Sequence, residues 1–277
     1  MEKPYPSYFD ATALRREYLL GDAFLAKYTS ISRDFIWQEQ NERFKRLLGR
    51  AWRMQFYREL WGQHGIKPGD IRSLLDIVKL PVFDATYLTA AQQDTAALGD
   101  LTGLDSYAPG SAPPVIKQFF GPRGNQIKQL LLARAGLFQG AHADDIAHLL
   151  ANTHSAETEA IAAWQSPADY RRYTIEAAGL VALEGQDRDG LYLMEDAHYV
   201  ELLSPKTELV ADGTPGELVL SSLYKDDFAP LIRFNSHDIA SIYLSESSVG
   251  LNLRRILCHQ QVELAANSRA NPGQTLL

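Results

Sequence analysis

One cysteine, Cys258, stands in a chain of 277 residues. An internal disulfide framework is therefore excluded, and so is a zinc site built from several cysteines. No run of about 18 apolar residues occurs, so no membrane-spanning helix is expected and a membrane is not an expected partner. The first ten residues lack a basic stretch leading into an apolar one. A secretory leader is not expected there, and a cytoplasmic location is. Basic charge is also short, with 27 Lys and Arg against 34 Asp and Glu and a net charge of −7. A non-specific nucleic-acid coat needs a strongly basic face, so nucleic acid is not an expected partner. Hydrophobic residues make up 45% and charged residues 22%, which excludes disorder over most of the chain.

Apolar residues at helical spacing run through Leu14, Tyr18, Leu19, Phe24 and Leu25. A second set runs from Phe44 through Leu47, Leu48, Ala51, Trp52, Phe56 and Leu60 to Trp61. Arg43, Lys45, Arg46, Arg50 and Arg53 interleave with the second set and predict a solvated basic face. Residues 65–70 stop this region, Asp70 or Ser73 caps a short helix through Val78, and Pro81 ends it. Residues 95–115 are rich in Ala, Gly, Ser and Pro and read as a loop. The β-prone run Val115 to Phe120 leads into Gly121-Pro122-Arg123-Gly124-Asn125, which predicts a turn. Residues 126–151 return to helical spacing. From 166 onward short runs alternate with turns, predicting strands over residues 190–194, 199–203, 217–223, 231–234 and 239–244.

The expected organisation is a helical region at 1–94, a reduced α/β segment at 95–165, a β-rich lobe at 166–266 and a flexible tail at 267–277. The fold class is mixed α/β (α+β), with an antiparallel β-lobe after the helices. The apolar face between Leu14 and Trp61 is more than a small cap would cover alone, so self-association as a homo-oligomer is expected.

Four features could carry chemistry. Between Asp105 and Asp144 there is no acidic residue, while Lys117, Arg123, Lys128 and Arg134 fall inside. A glycine turn there, feeding a helix start, could hold an anion such as phosphate, or it could be a plain surface turn. Asp144 and His148 share a helix face with His142, His154 and Glu157 nearby, and a polar helix face explains them as well as a metal site does. Nine carboxylates lie between Glu184 and Glu217, and Glu195-Asp196 could do acid–base work or fill a hairpin loop. Arg233 and Asp238 flank a turn after a buried strand. Alternation places Arg233 on the face of Leu231, so it requires a charged partner.

Several strings resemble the phenylacetate–CoA ligase branch of the adenylate-forming superfamily. Phe56 to Leu74, with Lys79 to Pro81, resembles the helical start of that family. Gly190 to Asp196, with Glu201, is similar to the family's stretch after its adenine-site tyrosine, and Pro215 to Val219 and Pro230 to Asp238 are similar to its Gly-Glu-Leu-Val and Pro-Leu-Ile-Arg-Tyr-x-x-Gly-Asp motifs. Arg134 to Asp145 is similar to the helix after its phosphate loop. The resemblance implies the reduced large N-terminal domain of such an enzyme. It implies Mg·ATP as cofactor, a small-molecule carboxylic acid or a carrier-bound acyl group as substrate, and an acyl-adenylate that coenzyme A cleaves. By the same resemblance Glu176 and Arg233 would be catalytic and Glu176 would hold magnesium. Asp238, Tyr173, Gly121, Arg123 and Gly124 would bind the nucleotide.

The sequence also departs from that pattern. The family's phosphate loop is rich in Ser and Thr, whereas residues 118–124 carry no hydroxyl. His237 stands where the family has glycine. The cysteine and histidine ligands of some relatives near positions 185 and 192 are absent, so no structural zinc is implied. Too little chain separates Ala151 from Tyr173 for the subdomain that walls the acyl pocket, and the small C-terminal domain with its catalytic lysine is expected to be missing. Two functions follow as alternatives. One is a ligase whose adenylation is weak, altered or dependent on a partner; the other is a non-catalytic relative that binds a partner enzyme, carrier protein or ligand.

Overall fold

The computed structural model describes residues 10–93, 105–107, 116–142, 144, 170–225 and 230–260. His148, His154, Glu157, most of 95–115 and the tail 267–277 lie outside the described residues. The first helical stretch forms α1 (Ala11–Glu17), α2 (Gly21–Ser30), α3 (Arg33–Ala51) and α4 (Gln55–Gln63). Asp10 caps α1 by accepting from the N–H groups of Thr12 and Ala13, and Ser32 caps α3 through the Phe35 N–H. Gly65, at φ +72°, takes the left-handed position just beyond α4. Ser73, not Asp70, opens the next element. Asp76 accepts from the Ser73 N–H at 3.2 Å and closes a capping box at the start of the 3-10 helix Leu74–Lys79. α5 (Ala85–Gln93) follows.

The run before Gly121 yields β2 (Gln118–Phe120), paired antiparallel with β1 (Asp105–Tyr107). The expected turn at Gly121–Asn125 is instead a helix start. Gly121 is the cap residue, and Pro122 takes the first position of the 17-residue α6 (Pro122–Phe138). Proline suits that position because its missing N–H would find no helical partner there, and its φ is already helical. Among the described residues no helix is long and apolar enough to cross a membrane.

Seven strands then form one sheet: β3 (Arg172–Ile175), β4 (Gly179–Glu184), β5 (Leu191–Leu193), β6 (His198–Leu203), β7 (Gly216–Ser222), β8 (Leu231–Tyr243) and β9 (Arg255–Gln260). Their order is β3-β4-β5-β9-β8-β7-β6, and every pair is antiparallel. β5, β6 and β7 fall on the expected runs. The runs at 231–234 and 239–244 are not two strands about a turn. They are the ends of one 13-residue strand, in which Arg233 (φ +59°) and His237 (φ +62°) take left-handed conformations. Register shifts against β7 and β9 absorb these residues, as bulges do.

Four residues, 194–197, join β5 to β6, yet these strands lie four positions apart in the sheet. Across a flat sheet that would be about 19 Å, beyond the reach of so short a turn. The sheet therefore curls, and hydrogen bonds cross between its halves. His198 Nε2 donates to Leu180 O at 2.8 Å, and the Tyr224 hydroxyl to Ala178 O at 2.8 Å. One apolar cluster joins Phe44, Leu47, Phe56 and Trp61 to Val200, Leu218, Leu220 and Phe234; a second joins Leu14, Tyr18, Phe24 and Tyr28 to α6, Leu183 and Tyr192. The apolar residues behind the self-association expectation are thus largely covered within the chain.

A charged layer ties the helices to the sheet, and it corrects two expectations. Lys45, Arg46 and Arg53 are exposed as predicted, but Arg43 is buried. Its guanidinium donates to Asp196 O and lies 4.4 Å from the Tyr18 ring centre. Glu195 and Asp196 are not loop decoration; they are 1% and 3% exposed in the β5–β6 turn. Glu195 binds Arg33 at 2.5 and 2.7 Å and Arg254 at 2.7 Å. Asp196 binds Arg134 at 2.8 Å through both oxygens. Burial pushes both carboxyls up, but Arg254 with Arg33, and Arg134 with Arg43, outweigh it and hold them below the usual range.

Candidate functional site

Tyr173 on β3 and Asp238 on β8 meet: the phenol donates to the Asp238 carboxylate, and both residues are buried. Burial and then the Asp238 charge drive the phenol well above its ordinary pKa, so it stays a neutral donor. Tyr173 also walls a cavity of about 400 Å³ together with Arg171, Arg172, Tyr243, Cys258 and His259. Burial, then the Asp238 charge, pushes the Cys258 thiol up to about 11, which makes it a poor nucleophile. Burial lowers Arg172 below its usual value, and its guanidinium donates to the Gln139 amide at 2.8 Å. The cavity thus combines aromatic walls, two guanidinium groups and an adjoining carboxylate.

Glu176 lies three residues beyond Tyr173, in the turn between β3 and β4. Gln118 of β2 donates through its side-chain amide to Glu176 O, which brings the β2–α6 junction against this turn. Lys225, just past β7, donates to Ala177 O at 2.8 Å. Lys225 and Lys128 each place Nζ 4.9 Å from the centre of the Phe120 ring. Burial lowers Lys128 to about 8. Gly121 and Gly124 are buried at the start of α6, and Arg123 Nη2 lies 3.3 Å from Glu17 of α1. The fold therefore gathers Tyr173, Glu176, Asp238 and the Gly121–Gly124 helix start on connected elements.

Arg233 is engaged elsewhere. Its guanidinium donates to Glu201 at 3.1 and 3.2 Å, to Val78 O at 3.1 Å and to Leu80 O. Glu201 is the charged partner that a buried Arg233 requires. Arg233 thereby pins β8 to β6 and to the end of the 3-10 helix. Burial raises the Glu201 carboxyl above its usual range, with Arg233 opposing it only in part. His237 has a left-handed backbone that favours glycine. Its ring lies 3.4 Å from Asp84 and 3.8 Å from Glu217, and its N–H donates to Asn235 Oδ1 at 2.8 Å.

Sequence spacing drew attention to Lys128 through the acid-free stretch around it. It offered no signal for Lys225, whose place depends on the curl of the sheet. Among the described residues no group of three or more His, Cys, Asp or Glu is placed to hold a metal ion. A magnesium ion bound with substrate phosphates needs only one or two carboxylates, so Glu176 is compatible with that role.

No known family profile and no curated protein sequence matches the chain. Solved structures do match. One is 2-hydroxyisobutyryl-CoA ligase in complex with 2-HIB-AMP and CoA in the thioesterification state, at TM-score 0.65 and 14% identity, covering 91% of this chain and 74% of that one. Another is the same ligase in the postadenylation state with 2-HIB-AMP, at TM-score 0.61 and 15% identity, covering 82% and 68%. Its open conformation, with 2-HIB-AMP and CoA, gives TM-score 0.59 at 16% identity, covering 78% and 67%. At these identities the likeness shows the fold, which is that of the adenylate-forming acyl-CoA ligases.

Proposed function

We propose that the chain binds an adenylate-type ligand, either AMP or its mixed anhydride with a carboxylic acid, in the cavity beside Asp238. Its own adenylation is weak, altered or dependent on a partner. The observation that carries this reading is the Tyr173–Asp238 contact at the edge of a cavity of about 400 Å³. A buried carboxylate beside a cavity of that size suits ribose hydroxyls as donors. The Tyr173 ring supplies a wall for the base. Glu176 would hold a magnesium ion, which supplies charge neutralisation at the phosphates. Arg233 acts at a distance by fixing the strand that carries Asp238. The acid is an acyl or aryl carboxylate, free or carrier-bound, by analogy with the phenylacetate–CoA ligase branch.

The second reading is a binding protein on the same fold without catalysis. It is favoured by the hydroxyl-free segment 118–124, since oriented hydroxyls and charges at the transferring phosphate supply much of the rate in such reactions. Calorimetric titration with AMP and with Mg·ATP tests the shared premise. Binding that is lost in Asp238→Ala supports it. No heat and no thermal stabilisation at millimolar nucleotide overturns it. Pyrophosphate exchange separates the two readings: weak exchange with some acid supports the first, and none with or without candidate partners supports the second.

A further inference from the structure

We infer that Tyr170, with the Arg188 guanidinium laid on its ring, is a stacking wall for a planar heteroaromatic group of the ligand, and that Arg188 is the residue that positions it. This rests on the proposed nucleotide site and names the residues that would make the base, and not only the ribose, a source of affinity.

Tyr170 lines the same cavity as Tyr173, Tyr243 and His259. It stands just before β3, is half-buried, and belongs to none of the apolar clusters. Its ring is therefore a wall of the cavity that the core does not use. Arg188 Cζ lies 3.6 Å from the centre of that ring, which is contact distance for a guanidinium stacked on an aromatic face. The stack is anchored from behind. Glu184, 3% exposed, accepts from Arg188 Nη1 at 3.0 Å. The same carboxylate accepts from Arg171 through its backbone N–H at 3.2 Å, Nε at 2.9 Å and Nη2 at 2.7 Å. One buried carboxylate thus holds both the residue next to Tyr170 in sequence and the residue over its ring.

The backbone of Arg188 adds a second observation. It is left-handed, at φ +56°, in the turn between β4 and β5, where its N–H donates to Gly185 O at 3.1 Å. Such a turn position favours glycine or asparagine. What arginine alone supplies there is the reach to Tyr170 and Glu184. A non-glycine residue kept in that conformation beside a cavity fits a ligand clamp. A ring held in place before the ligand arrives also loses less side-chain freedom on binding. Three residues of extended chain, about 10 Å, separate Tyr170 from Tyr173, whose hydroxyl reaches Asp238. A ribose at Asp238 would direct its base along this segment toward Tyr170. The chemical class is a purine nucleotide or nucleoside.

The test is calorimetry on the full chain with three probes: AMP, ribose 5-phosphate and adenine. Wild type is expected to bind AMP about tenfold more tightly than ribose 5-phosphate, the effect of one base stack. Tyr170→Ala is expected to weaken AMP about tenfold and leave ribose 5-phosphate unchanged. Tyr170→Phe keeps the ring and should stay within about twofold of wild type for both probes. Arg188→Gln should weaken AMP about threefold, again with ribose 5-phosphate unchanged. A role in folding alone would move both probes together. If Tyr170→Ala melts early, Tyr170→Leu keeps bulk without a π face and should show the same split. Equal wild-type affinity for AMP and ribose 5-phosphate overturns the inference, and AMP affinity unchanged in Arg188→Gln overturns the part given to Arg188. AMP binding that is lost in Asp238→Ala but kept in Tyr170→Ala removes the stack and leaves the nucleotide reading standing. Adenine binding that depends on Tyr170, without AMP binding, removes the nucleotide reading and leaves the stack. Binding of neither AMP nor adenine at millimolar concentration overturns both.

Discussion

At the β5–β6 turn each carboxylate oxygen of Glu195 and Asp196 has a guanidinium nitrogen within 2.8 Å. At the cavity a buried carboxylate, Asp238, takes its bond from the neutral phenol of Tyr173, which lines the space with Arg171 and Arg172. Both regions concentrate charge out of water. The first matches every charge with its opposite in a fixed fork geometry, which suits a joint between layers. The second sets guanidinium groups and a carboxylate on separate strands beside a cavity, which suits a ligand there.

Removing one partner from the joint should have the largest effect. Asp196→Ala leaves the Arg134 and Arg43 charges buried without it, and a loss of roughly 3–5 kcal/mol is expected in urea denaturation. A loss below about 1 kcal/mol would break the comparison, because the turn would then be as tolerant as the cavity. Acid should come next. Burial lowers His198, which abuts the same turn, from 6.5 to about 4. The unfolded chain therefore takes up the proton first as pH falls. Stability is full above about 6.5 and declines to about 4, by about 3 kcal/mol in total. His198→Gln should flatten that slope in pH-dependent melting curves.

At the cavity the effects should be smaller and should appear in binding. Tyr173→Phe removes the phenol from Asp238 and should cost about 1 kcal/mol of stability. The same change frees the carboxylate for a ribose, so AMP should bind roughly fivefold tighter by calorimetry. Weaker AMP binding would show that the phenol is part of the seat, not a placeholder in it. The smallest effect is expected at His237→Gly. Relief of the left-handed backbone should outweigh the loss of two half-exposed carboxylate contacts and stabilise the chain by under about 1 kcal/mol. A drop in melting temperature would show that the His237 ring ties α5 to β7.

The sequence made local features legible. Capping at Ser73, the left-handed stop at Gly65 and the alternation in β5 to β7 depend on neighbours a few residues away. Arg233 was legible as a buried charge from its place in the apolar run Pro230 to Phe234, although the left-handed bulge at Arg233 breaks the alternation that the expectation used. Arg43 was not, because helical spacing shows which residues share a face but not what lies against it. Glu195-Asp196 read as a hairpin because its four-residue turn looks ordinary until the sheet order is known. β3, β4 and β9 carried no distinct periodic signal. Within the site, Tyr173, Glu176 and Asp238 came through motif resemblance, and their meeting was not visible in spacing. The pairing of Lys128 with Lys225 needed the curled sheet.

The order of the sheet also bears on how the chain is made. β9 is the last strand described, yet it lies between β5 and β8. While the chain emerges from a ribosome, β3–β5 and β6–β8 can form only two separate meanders, each with an open edge at β5 or β8. Until residue 260 is free of the exit tunnel, those edges can pair with other nascent chains. Closure is then a long-range, late and slow step. The interval before β9 inserts is when this protein would most depend on chaperones.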